Sequence, residues 1–224
     1  CTTTALNMRT LVFDTETTGL PKDRRAPPTA TDQWPHIVQL SYILYDTSTR
    51  TIETGADHLI SLNEGVPLPS ESTKIHGITT SLLRRKGVPL GDALSSFADA
   101  VGHADCLVAH NLEFDWKVIQ SACYRVGLPD PFTDRAKQRY CTMMNGRAMC
   151  GIWAVRPDGS RYIKYPKLQD LPKELFNEEA RNLHDAFADI LVCLRCYMAM
   201  AHEDDLLQCT RAKQLYEMYR ICAS

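Results

Sequence analysis

Residues Leu11–Leu20 read Leu-Val-Phe-Asp-Thr-Glu-Thr-Thr-Gly-Leu, and no other stretch constrains the chain as tightly. A short apolar run rich in β-forming residues predicts a strand buried in a sheet. Asp14 and Glu16 sit two apart at its end, and residues i and i+2 of a strand point to the same side. A fold that buries this strand therefore brings two carboxylates to one spot, where they resist ionising unless a cation lies between them. One reading is a divalent-metal site at the carboxyl end of a first strand. The other is a pair of acids that closes the strand and solvates the turn begun by Gly19 and Leu20. A short motif does not decide between them; further carboxylates downstream do.

The chain has 224 residues, 44% of them hydrophobic and 23% charged, which predicts one domain over 1–224 with a full core. Its catalytic core is expected over about 9–201 and a C-terminal helix over about 204–221. No apolar run has the length of a membrane span, and the polar start Cys1–Arg9 lacks a signal-peptide core. No membrane partner and a cytoplasmic place are the expectations. Nine cysteines, an odd number scattered through apparent core segments, fit reduced thiols. Cys193-x-x-Cys196 has no second ligand pair at zinc-finger spacing. A net charge of −2 argues against bulk electrostatic binding of nucleic acid, though not against cations meeting phosphates locally. Lys22/Arg24/Arg25, Arg84–Lys86 and Arg135/Lys137/Arg139 read singly as solvated faces.

Residues 21–35, with Pro27-Pro28, read as a long loop of the functional or mobile kind. Ile37–Tyr45 and Thr51–Ser61 read as strands that form an antiparallel meander with the first. Short helices are expected over Ser72–His76 and Thr80–Lys86, and an amphipathic helix over 91–101. A brief buried strand, Cys106–Ala109, precedes a helix to about Val126, with Asn111 in the N-cap position. Beyond Pro129 the pattern weakens: a strand near Tyr140–Met143, a turn at Pro157-Asp158-Gly159 and a hairpin arm at Arg161–Tyr165. Lys167–Phe176, Asp185–Ala201 and Asp204–Ile221 read as helices. Strands first, then strands alternating with helices, predict an α/β fold with a mixed sheet flanked by helices.

Two downstream carboxylates stand out. Asp115 lies early in the helix after the buried strand, where the helix dipole alone would justify it; Glu113 falls elsewhere on the same cylinder. Asp189 sits in a helix that is apolar almost all round, and a carboxylate buried there costs several kcal/mol unless it is paired, neutralised or bound to metal. Asp185 reads as first-turn capping. His184 precedes Asp189 by five positions, about 500° of helix, so a shared site requires His184 to lie on the entering loop. A loop histidine with a pKa of about 6.5 suits a base.

The ordered set Asp14-x-Glu16, Asp115 and His184-x4-Asp189 resembles the DEDDh, or DnaQ-like, 3′→5′ exonuclease family. Thr17-Thr18-Gly19-Leu20, Ile37-Val38-Gln39-Leu40, Ile75-His76-Gly77-Ile78-Thr79, His110-Asn111-x-x-Phe114-Asp115 and Pro166-Lys167-Leu168-x-x-Leu171 are similar to its other motifs. The resemblance implies an RNase H-like fold with a mixed five-stranded sheet. It also implies two divalent ions, Mg²⁺ or Mn²⁺, on Asp14, Glu16, Asp115 and Asp189, with His184 as general base. The implied reaction releases 5′-mononucleotides from single-stranded or frayed 3′ ends of nucleic acid, DNA rather than RNA, in proofreading or repair. Implied substrate contacts are Thr15, Thr17, Gly19, Leu20, His76, His110, Asn111 and Phe114; His110 and Asn111 either approach the scissile bond or cap the helix. The chain shows no polymerase domain, so a proofreading role implies a polymerase partner in trans. The alternatives are a 3′→5′ exoribonuclease, or a polymerase-associated nucleic-acid-binding module with incidental nuclease activity. The long loop at 21–35 and an added hairpin region at 143–166 depart from compact members.

Overall fold

The computed structural model describes residues 8–180, 185–208 and 210–218. Its centre is β1 (Arg9–Thr17), which pairs antiparallel with β2 (Ile37–Asp46) and parallel with a short buried strand, β4 (Cys106–Ala109). β3 (Thr51–Leu59) continues the meander from β2, and β5 (Gln138–Cys141) pairs parallel with β4. The sheet order is β3-β2-β1-β4-β5, so β1 is covered on both edges and both faces. β2 is buried along its whole length, whereas edge strand β3 is largely exposed, and its Thr, Glu, Asp and His residues suit that edge.

Alternation along β1 sends successive side chains to two cores. Leu11 and Phe13 pack with α3 (Leu90–His103) and α4 (Leu112–Val126). Val12 joins Ile43 and Val108 against α7 (Ala186–His202), whose Ile190, Leu191 and Leu194 are almost wholly buried. Two short helices, α1 (Ser70–His76) and α2 (Thr80–Lys86), lie between β3 and α3 in the chain. Among the described residues, no helix is long and apolar enough to cross a membrane.

Several boundaries depart from the sequence reading. Asn111 does precede α4, but its backbone is left-handed (φ 71°) and its side chain makes no capping bond, so it turns the chain rather than capping the helix. The segment after β5 is helical as α5 (Thr142–Cys150); Gly146 lets it approach α6 (Asp170–Phe176), since a Cβ there would collide with Leu171. Lys167–Gln169 precede α6 because the Asp170 carboxylate accepts from the Lys167 N–H, 2.8 Å away. β6 (Trp153–Val155) and β7 (Arg161–Ile163) form the expected hairpin as a separate two-stranded sheet. The expected last helix is interrupted: a 3₁₀ turn at Leu206–Gln208 precedes α8 (Thr210–Met218), and residues 219–221 lie outside the described set. Asp185 caps α7 as expected, accepting from the Phe187 and Ala188 N–H groups.

The loop at 21–35 is tied down. Trp34 is buried and donates to the Pro27 carbonyl, and the Arg125 guanidinium of α4 donates to the carbonyls of Thr31, Trp34 and Pro35. β1 itself is backed by an aromatic cluster, with the Phe97 ring 5.2 Å from Phe13 and 5.9 Å from Phe132. Phe97→Ala should therefore cost about 3–5 kcal/mol, read from denaturant unfolding. A loss under 1 kcal/mol would mean that this cluster does not support β1.

Candidate active site

β1 runs past its last parallel pair with β4, Val12–Val108, and carries Asp14 and Glu16 on its α7 side beyond that point. α7 starts beside them, and the Asp185 cap fixes its first turn so that Asp189 faces the strand end. Oxygens of Asp14, Glu16 and Asp189 lie within 4.8 Å of one another, the one such group among the described residues able to hold a metal ion. Burial raises the Asp14 carboxyl to about 7 against the weaker opposing pull of the Thr15 N–H, with the Asp185 charge adding a little. Burial raises Glu16 to about 9, and the charges of Asp14, Asp189, Asp115 and Asp185 add to it. Acids that resist ionising so strongly fit a cation of high charge.

Asp115 reaches the same strand end from the other side. Its Oδ1 accepts from the Thr15 N–H at 3.0 Å and the Thr15 hydroxyl at 2.7 Å. Burial and the Asp14 charge push its carboxyl well up. Thr15, expected against substrate, is buried and holds Asp115 instead. Glu113 faces away, as its register requires, and pairs with Lys117 at 2.7 Å.

The remaining expected residues separate into two groups. Thr17 donates to the Gly19 carbonyl at 2.7 Å, Gly19 takes φ 150°, and Leu20 is 70% exposed just beyond. His76 accepts from the Ile78 N–H through Nδ1 and sits beside the Thr17 backbone; burial lowers its pKa. Asn111 and Phe114 line a cleft of about 110 Å³ with Pro21, Arg24, Trp34 and Lys117. His110 points inward: Nε2 donates to the Pro166 carbonyl at 3.2 Å and Nδ1 meets the Thr142 hydroxyl at 3.0 Å. Burial lowers its pKa to about 4, so it is neutral and both nitrogens are used. It ties the loop at Pro166 to Thr142. His184 lies outside the described residues.

Gln39 is a residue the sequence reading passed over. It pairs with Glu16 across the ladder, donates to Asp57 at 2.7 Å and accepts from the Ala186 N–H at 3.4 Å. One buried amide thus ties the start of α7 to β2. The signal was a lone amide in the apolar run Ile37–Leu40. A cavity of about 580 Å³ between β2, β3, α7 and α8 has none of the four carboxylates in its lining.

The exonuclease family model RNase_T matches residues 11–197. A DNA polymerase III subunit epsilon-like protein from Rhodobacter capsulatus is 34% identical over 112 residues, 49% of this chain and 14% of its own length. E. coli exonuclease I, solved with a dT13 oligonucleotide, superposes with a TM-score of 0.63 at 21% identity, over 94% of this chain and 43% of that one. A moderately thermophilic exonuclease I from Methylocaldum szegediense gives 0.65 at 19% identity, over 95% and 45%. The chain thus spans less than half the length of these relatives. The mixed sheet flanked by helices is the RNase H-like one that the motifs implied.

The raised acids link stability to pH. Folded, Asp14 and Glu16 hold protons up to about 7 and 9, whereas unfolded they lose them near 3.8 and 4.5. The folded state then binds more protons, so these groups lower stability as pH rises through that window. In EDTA, the melting temperature of Glu16→Gln minus that of wild type should grow from about pH 5 to about pH 9. Saturating Mn²⁺ should remove the growth; a flat difference in EDTA would contradict the shift.

Proposed function

Because the chain belongs to the RNase_T exonuclease family and carries its DnaQ-like, DEDDh motifs, we propose that it is a metal-dependent 3′→5′ exonuclease that releases 5′-mononucleotides from single-stranded 3′ ends. The observation that carries this reading is the convergence of Asp14, Glu16 and Asp189 at the end of β1, with Asp115 held alongside by Thr15. The donor set is all carboxylate oxygen, which suits Mg²⁺ or Mn²⁺. Asp14, Glu16 and Asp189 would hold the ions, with Asp115 as the fourth ligand. When bound, a pair of such ions supplies Lewis-acid stabilisation of the charge on the attacking and leaving oxygens.

The chain's own residues do the rest. Asp185 and Gln39 fix the start of α7 and with it Asp189. Thr15 restrains Asp115 through both its amide and its hydroxyl, which keeps the ligand set in place without reorganisation during the reaction. His184 is the proposed general base. In sequence it immediately precedes Asp185, the cap of the helix that carries Asp189, and a histidine is the usual group for proton transfer near neutral pH. The Gly19–Leu20 turn and the cleft walled by Phe114 and Asn111 are the proposed seat of the terminal nucleotide. DNA is the favoured polymer because exonuclease I, which shares the fold, has been solved with dT13 and dA16 oligonucleotides. A polymerase partner in trans is in keeping with the epsilon-like relative.

The test is a time course on 5′-labelled single-stranded DNA and RNA with Mg²⁺, Mn²⁺ or EDTA. A ladder that shortens from the 3′ end only with metal is expected, faster on DNA. Asp14→Asn and Asp189→Asn should abolish it, and His184→Ala should slow it by about 10²–10⁴-fold. Retained metal-dependent turnover in either Asp variant would overturn the site; intact substrate with folded, metal-loaded protein would overturn the activity.

A further inference from the structure

The β6–β7 hairpin and the segments that flank it are rich in cations. Residues 143–167 hold five cations, Arg147, Arg156, Arg161, Lys164 and Lys167, against one carboxylate, Asp158, in a protein whose net charge is −2. Asp158 is occupied within the turn, accepting from the Ser160 N–H and hydroxyl. None of the five cations makes an ion pair among the described residues. A solvated hairpin face would interleave both signs and few large apolar groups. Here Trp153 is 57% exposed and Val155 66%, and the pairing puts them on one face with Arg161.

Two of the arginines are already set against rings. The Arg161 guanidinium lies 5.1 Å from the Trp153 ring centroid, and Arg156 lies 4.4 Å from Tyr162 on the other face. Such pairing keeps each guanidinium extended, with N–H groups left for an anion. The base of the hairpin is tied to α5 and to the 110 loop. Arg147 donates to the Ile163 carbonyl at 2.8 Å and stacks on Tyr165, and Pro166 is tied to His110. His110 leads directly into the Asn111–Asp115 segment, so one hydrogen bond links the loop after the hairpin to the segment that carries Asp115. Three paired residues at about 3.3 Å each give it a reach of about 10 Å.

We propose that this hairpin is a nucleic-acid-binding arm that grips the single strand behind its 3′ end, Trp153 stacking on a base while Arg156 and Arg161 meet phosphates. The inference deepens the exonuclease reading and rests on it for the direction of the strand. Stacking of bases on exposed rings beside cations is the usual chemistry of single-strand grooves. A protein partner would favour an apolar patch with balanced charge over an unpaired run of cations.

The test measures binding apart from hydrolysis, by anisotropy of dye-labelled dT20 with the whole chain in EDTA across a salt series. Trp153→Ala and Arg161→Ala should each weaken binding about 10-fold. Arg156→Ala/Arg161→Ala should reduce the slope of log K against log salt by about 1.4. Arg85→Ala, an exposed cation on α2, should change affinity less than 2-fold, and Trp153→Phe and Arg161→Lys should restore most of the loss. With Mg²⁺, the hairpin variants should raise KM for dT20 and leave dinucleotide hydrolysis unchanged. No measurable binding by wild type, or hairpin variants that match Arg85→Ala, would overturn the arm while leaving the exonuclease reading intact. Hairpin-dependent binding from a wild type that hydrolyses nothing with metal would do the reverse. Loss of a protein contact with dT20 affinity unchanged would also overturn it, in favour of a protein-docking hairpin.

Discussion

The cost of crowding carboxylates into one half-buried site is the constraint around which the rest of the structure is arranged. Asp14 and Glu16 share one side of β1, and α7 adds Asp189 within 4.8 Å. Left alone, such a cluster holds protons well into the neutral range or pushes its members apart. Neither relaxation is open here. β1 is locked by ladders on both edges, and α7 is packed through Ile190, Leu191 and Leu194 onto the same sheet. The hydrophobic cores keep the acids together, and a cation is what makes that placement favourable.

Precision comes from hydrogen bonds around the acids. Thr15 restrains Asp115, Gln39 restrains the start of α7, and Asp185 orders its first turn. Arg125 and Trp34 hold the 21–35 loop on α4, where it completes the cleft beside Phe114. A hydrogen bond to each of these elements limits how far a ligand can drift, which matters where displacements of about 1 Å cost rate.

Much of this was legible in the residues. Alternation in Leu11–Glu16 gave the strand and its shared carboxylate face. The apolar surround of Asp189 marked a carboxylate that needed a partner, and Cys106–Ala109 and Thr80–Lys86 match the observed elements. What the residues did not reveal depends on contacts distant in sequence. His110 looked like a site residue because of its motif, but Thr142 and Pro166, 32 and 56 positions away, turn it inward. Asn111 has capping chemistry, but its left-handed backbone aims the side chain elsewhere. α5 was missed because Met143–Ala148 lacks a clear apolar period and gains its place by packing Gly146 on Leu171.

The central claim is that the cluster at the end of β1 is a divalent-metal site whose acids surrender protons to the ion. Titration calorimetry of Mn²⁺ into the protein at pH 7, in two buffers of different ionisation enthalpy, tests it most directly. The account predicts tight binding with net proton release, as expected of acids raised to about 7 and 9. It also predicts loss of both signals in Asp14→Asn and Asp189→Asn. Binding without proton release, or binding that survives both substitutions, would contradict it.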